Sequence, residues 1–72
     1  MDKEKMKTIR AYLDMSQSQF AEYIGVSSST ISMIEAGHRE VSDKLTSRIA
    51  RKFEVTDDFI QFLKNRKRLG SD

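Results

Sequence analysis

A chain of 72 residues is expected to form one small domain that buries only about 60% of its unfolded surface, so its core must be compact and helix-dense. With no cysteine and a single histidine there is no disulfide and no evident metal site, and no apolar run nears the ~18 residues that span a bilayer. Net charge is only +2, but residues 11–38 contain no Lys or Arg, while Asp14, Glu22 and Glu35 fall among them and the cations sit on either flank.

Residues 2–13 alternate in charge around Met6, Ile9 and Leu13 at i, i+3 and i+7. That spacing predicts an amphipathic first helix, with Asp2 or Glu4 near its start to suit the helix dipole. Tyr12 is expected at the edge of the core, and Asp14-Met15 breaks the period. Ser16 then caps a second helix over about 17–24, whose apolar stripe is Phe20, Ala21 and Ile24. Gly25 follows where a helix end needs a residue that tolerates positive φ. Ser27 caps a third helix, about 28–36, with Ile31 and Ile34 inward and Thr30 half-buried. Ser28, Ser29, Ser32, Met33 and Ala36 are left facing outward, and Gly37 closes this helix as Gly25 closes the one before. Helix, tight glycine turn and helix within residues 17–37 is a helix-turn-helix layout. Ala21 suits it, because two helices crossing steeply behind so short a turn leave room only for a small side chain.

Residues 37–42 have no apolar period and read as a loop. Ser42 caps a fourth helix carrying Leu45, Ile49, Ala50 and Phe53, and Glu54-Val55 is the next joint. Thr56 with Asp57 and Asp58 opens a fifth helix as cap and acidic first turn. Phe59, Ile60, Phe62, Leu63 and Leu69 are its apolar residues. A single inward stripe does not need four apolar residues within 59–63, so a second buried face, a partner subunit, is expected there. Lys64, Arg66, Lys67 and Arg68 place cations at the favourable pole of that helix. The domain is expected over 1–69, with 70–72 as a disordered tail.

In order, Ile9-Arg10, Ser16-Gln17-x-x-Phe20-Ala21, Gly25-Val26-Ser27, Ser29-Thr30-Ile31-Ser32 and Ile34-Glu35-x-Gly37 resemble the Xre-like helix-turn-helix family. That family includes the lambdoid phage repressors and Cro proteins. Ile49-Ala50 and Phe53-x-Val55 extend the resemblance, which covers roughly 5–63. It implies an all-α, compact bundle of about five short helices, a lambda repressor-like DNA-binding domain with its helix-turn-helix at helices 2 and 3. The third helix is then the reader, whose N-terminal residues meet base edges in the major groove. Carried over by position, the base-facing set is Ser28, Ser29 and Met33, with Ser32 adjacent. The phosphate contacts fall on Ser16, Gln17, Ser27, Thr30, His38 and Arg39, and Lys44 is within reach of one. The matching family positions also make Arg10 and Glu35 a structural ion pair. One departure stands out. No base-facing residue is Arg, Lys, Gln or Asn, the side chains that contact guanine or adenine in bidentate fashion.

Function follows as an expectation from the resemblance. The chain is expected to be a sequence-specific DNA-binding transcriptional regulator of phage or bacterial type, repressor- or Cro-like. It would bind a palindromic double-stranded operator as a homodimer through Phe59, Ile60, Phe62 and Leu63, with no cofactor and no metal. A second class stays open: a helix-turn-helix protein-interaction module, such as an antirepressor or a partner of another regulator, which the neutral serine-rich reader would suit. An enzyme is not expected, since no residues assemble a nucleophile, a paired acid and base, or a phosphate-binding glycine loop. The expected location is cytoplasmic and nucleoid-associated, away from any membrane.

Overall fold

The computed structural model describes the backbone of residues 1–70 and the side chains of residues 1–65, and within them the chain is all helical. Five helices follow one another: α1 (Lys3–Tyr12), α2 (Gln17–Ile24), α3 (Ser28–Glu35), α4 (Asp43–Lys52) and α5 (Asp57–Gly70).

Each helix starts at a side chain that accepts a hydrogen bond from an otherwise orphaned backbone N–H. Asp2 accepts from Lys5 at 2.8 Å, Ser27 from Thr30 at 3.3 Å, Ser42 from Leu45 at 3.1 Å and Thr56 from Phe59 at 3.2 Å. At α2 the cap is reciprocal. Ser16 Oγ accepts from the Gln19 N–H at 3.1 Å, and Gln19 Oε1 accepts from the Ser16 N–H at 2.8 Å. Between α1 and α2 the chain turns through Asp14 at φ 56, one of the few residue types besides glycine that enters the left-handed region readily.

Gly25 and Gly37 end α2 and α3 in the same way. Gly25 has φ 81, the Val26 N–H reaches back to the Ala21 carbonyl at 2.9 Å, and the Gly25 N–H reaches Glu22 at 3.3 Å. Gly37 has φ 86, with His38 donating to Met33 at 2.9 Å and Gly37 to Ile34 at 3.0 Å. Both are left-handed caps that satisfy the last carbonyls while reversing the chain.

The core is one cluster drawn from all five helices: Met6, Ile9, Phe20, Ala21, Ile24, Ile31, Ile34, Leu45, Ile49 and Phe59. Ala21, 1% exposed, sits between α2 and α3 as the small residue their crossing requires. Tyr12 is half-buried in an edge-to-face aromatic cluster, its ring centroid 5.9 Å from Phe53, 5.1 Å from Phe59 and 5.2 Å from Phe62.

Two expectations need correction here. Ala50 is exposed on α4 and does not belong to its inward stripe. Phe59, expected in a dimer interface, is 1% exposed inside the monomer's own core, packed on Tyr12 and on Phe53 at 4.8 Å. The reason is that α5 packs on α1 through Phe59, which leaves Ile60 and Leu63 outward. The helix α5 runs to Gly70, and residues 71–72 of the expected tail lie outside the described residues. Leu69, Arg66, Lys67 and Arg68 fall outside the described side chains.

Candidate nucleic-acid interface

The surface that matters is built by α2, the Gly25 turn and α3. Ile31 and Ile34 are both fully buried, which locks α3 onto α2 and fixes which of its residues look outward. Ser28, Ser29, Ser32, Met33 and Ala36 are all exposed. Ser29, Met33 and Ala36 lie at i, i+4 and i+7, one helical line, with Ser28 and Ser32 beside it. At the N-terminus of α3 the hydroxyls form a small relay. Ser27 Oγ lies 2.9 Å from Thr30 Oγ1 and 3.2 Å from Ser29 Oγ. These positions crowd hydroxyls and backbone donors around the positive pole of α3, where an anion is favoured.

The helix-turn-helix family model matches residues 6–60, which take in this whole surface. The chain belongs to the Xre-like helix-turn-helix family. Neither a comparison with curated protein sequences nor one with solved structures finds a match. Family membership makes this a DNA-binding regulator of the helix-turn-helix type.

In this helix-turn-helix protein one carboxylate ties three helices together. Arg10, on α1, donates from Nε to Glu35 Oε2 at 2.7 Å and from Nη2 to Glu35 Oε1 at 2.9 Å, a bidentate pair. Arg10 Nη1 also donates to the Met15 carbonyl at 2.9 Å, pinning the α1–α2 loop. Gln17, on the first turn of α2, donates from Nε2 to Glu35 Oε1 at 3.1 Å. The Glu35 side chain is only 5% exposed and that of Arg10 19%. Burial alone would raise the Glu35 carboxyl, but the hydrogen bonds from Arg10 and Gln17 and the charges of Arg10 and Lys7 outweigh it. Together they hold the group below its ordinary value of 4.5.

The sequence-derived phosphate set divides by location. Ser16, Ser27, His38, Arg39 and Lys44 are exposed, whereas Thr30 and Gln17 are half-buried. Gln17 has one of its two amide donors already on Glu35, and the Ser16 hydroxyl accepts from the α2 backbone while staying on the surface. Arg39 and Lys44 line one shallow groove together with Thr30, Val26, Arg48 and the acidic Glu40. His38 is not among the residues that line it.

Arg48 was not singled out by the sequence. Its Nη1 reaches the carbonyls of Ile24 at 3.5 Å and Gly25 at 3.4 Å, so a cation from α4 sits on the negative pole of α2. The only hint in the sequence is its place between Leu45 and Ile49, on the border of the inward face. Nothing in that spacing names the carbonyls it meets. Tyr23 makes a similar bridge, its hydroxyl donating to the Lys52 carbonyl at 2.6 Å and joining the ends of α2 and α4.

Among the described residues no group of three or more His, Asp or Glu side chains is disposed to hold a metal ion. No helix among them is long and apolar enough to cross a membrane.

Proposed function

We propose that the protein is a sequence-specific transcriptional regulator, repressor- or Cro-like, that binds a palindromic operator as a homodimer on the nucleoid of the cytoplasm. It acts by occupying DNA and excluding or recruiting polymerase. The observation that carries this reading is the placement of an outward α3 face, Ser28, Ser29, Ser32 and Met33, beside a groove that gathers Arg39 and Lys44. In this reading α3 enters the major groove and the cations lie along the phosphate backbone at its rim. Ser16, Gln17, Ser27, Thr30 and His38 complete the phosphate contacts through hydroxyls, amides and the poles of α2 and α3. Between residues 11 and 38 there is no cation, so attraction to DNA must come from the flanking segments.

The test is a titration with duplex DNA at several salt concentrations. Affinity should fall steeply with salt, and some sequences should bind more tightly than bulk DNA. Arg39→Ala and Lys44→Ala should each weaken binding to every sequence and reduce the salt slope by about one unit. Unchanged slopes in both variants would remove these two residues from the interface.

A protein-interaction role is the second reading. What favours it is Met33, 45% exposed on a face with no charged residue to read a base. If Met33→Ala leaves all DNA preferences intact and abolishes binding to a protein partner, the antirepressor reading replaces the first.

A further inference from the structure

We propose that Met33 makes this protein a reader of the C5-methyl group of a pyrimidine, so that 5-methylcytosine replaces thymine at the base step it covers. The inference rests on the DNA-binding reading and deepens it to the chemistry of the base that is read.

Met33 stands out on α3 as an exposed thioether among serines. It has no group to donate to a base edge, its sulfur accepts only weakly, and it gains chiefly by covering apolar surface. In the major groove the apolar feature on a base edge is the methyl at C5 of thymine. Cytosine methylated at C5 presents the same methyl at the same place. Ala36, one turn further along, continues the apolar line without adding a polar choice.

The polar neighbours do not separate thymine from cytosine. Thymine offers O4 as an acceptor, and cytosine offers its N4 amine as a donor. A serine hydroxyl serves either, because it both donates and accepts. Ser29 lies one turn before Met33, and its hydroxyl is 3.2 Å from that of Ser27, with either oxygen able to donate. Reversing that bond reverses the polarity Ser29 presents outward. Ser29 therefore tolerates both pyrimidines, and in this reading the methyl is what the face selects. Burying one methyl group against Met33 corresponds to about fourfold in affinity per half-site.

The experiment starts from a half-site selected out of a random duplex pool. At each of its pyrimidines, dT is compared with dU opposite adenine, and 5-methyl-dC with dC opposite guanine, for the wild type and Met33→Ala. At one step the methylated member of both pairs should bind about fourfold more tightly, and Met33→Ala should abolish the difference. Equal binding within the pairs at every step overturns the proposal, as does a preference confined to the thymine pair or one that persists in Met33→Ala. In each of those cases selective DNA binding survives. A pool that yields no preferred sequence overturns the DNA-binding reading itself, and this proposal with it.

Discussion

Replacing Glu35 by Gln leaves the Arg10 guanidinium against α3 with the Met15 carbonyl as its remaining full partner. A buried donor that loses its acceptor costs roughly 1–3 kcal/mol, whereas an exposed ion pair is worth under about 1 kcal/mol. Thermal unfolding at neutral pH should therefore show Glu35→Gln losing roughly 1–3 kcal/mol, and Glu22→Gln, on the exposed face of α2, losing less than about 0.5 kcal/mol. Equal effects would mean that the hub adds nothing beyond a surface charge. The same carboxylate predicts a pH dependence. Its folded pKa lies below the unfolded one, so its contribution is complete above the ordinary value of 4.5. It is lost as pH falls through the folded pKa. The stability gap between the wild type and Glu35→Gln should hold from neutral pH down to the ordinary carboxylate range and narrow progressively as pH falls below it.

At the scale of the helices, the turn between α2 and α3 depends on Gly25. A Cβ there would meet two penalties, a φ of 81 and an approach of 3.0 Å to Arg48 Nη1. The second is small because a guanidinium tip can move, though moving it takes Arg48 off the α2 carbonyls. The first is unavoidable and costs about 1–2 kcal/mol for an L-residue. Gly25→Ala should lower the melting temperature by roughly 4–8 °C per kcal/mol lost, and Gly25→Asn by less, because Asn enters the left-handed region more easily. Equal melting temperatures for Gly25→Ala and wild type would mean that the turn has repacked.

Such local signals explain what the sequence made legible. Ser16, Ser27, Ser42 and Thr56 cap their own helices, and Gly25 and Gly37 end theirs, so helix limits were written within a few residues of where they fall. The outward face of α3 was legible too, because Ile31 and Ile34 fix its rotation. Contacts between helices were less so. The Arg10–Glu35 pairing came from resemblance to a family, and no local period announces Arg48 on the α2 carbonyls or Gln17 on Glu35. Asp14 at positive φ was visible only as a break in the pattern. The apolar run Phe59, Ile60, Phe62, Leu63 showed that α5 is hydrophobic without showing which residue faces in.

For the whole molecule that distinction decides where the second subunit of the proposed dimer would dock. Phe59 is buried in the core and Phe62 half-buried beside Tyr12, so among the described side chains of α5 the exposed apolar surface is Ile60, 41% exposed, and Leu63, 37%. Val55, in the joint before the helix, is 64% exposed. In the dimer proposed here these residues meet their counterparts across a two-fold axis, as a self-complementary patch requires. Such a dimer presents two α3 helices to half-sites about one helical turn, ~34 Å, apart, and so matches a palindrome. The two kinds of apolar residue on α5 should then respond oppositely. Phe59→Ala removes a buried ring and should cost about 3–5 kcal/mol of folding stability, melting the domain itself. Ile60→Asp and Leu63→Asp alter exposed positions, so folding stability in monomeric protein should change by less than about 0.5 kcal/mol. In sedimentation at micromolar concentration these two should shift dimer to monomer, and on a two-half-site duplex they should lose cooperative binding. A stable fold with unchanged sedimentation and unchanged cooperativity in both would place the subunit contact on another surface.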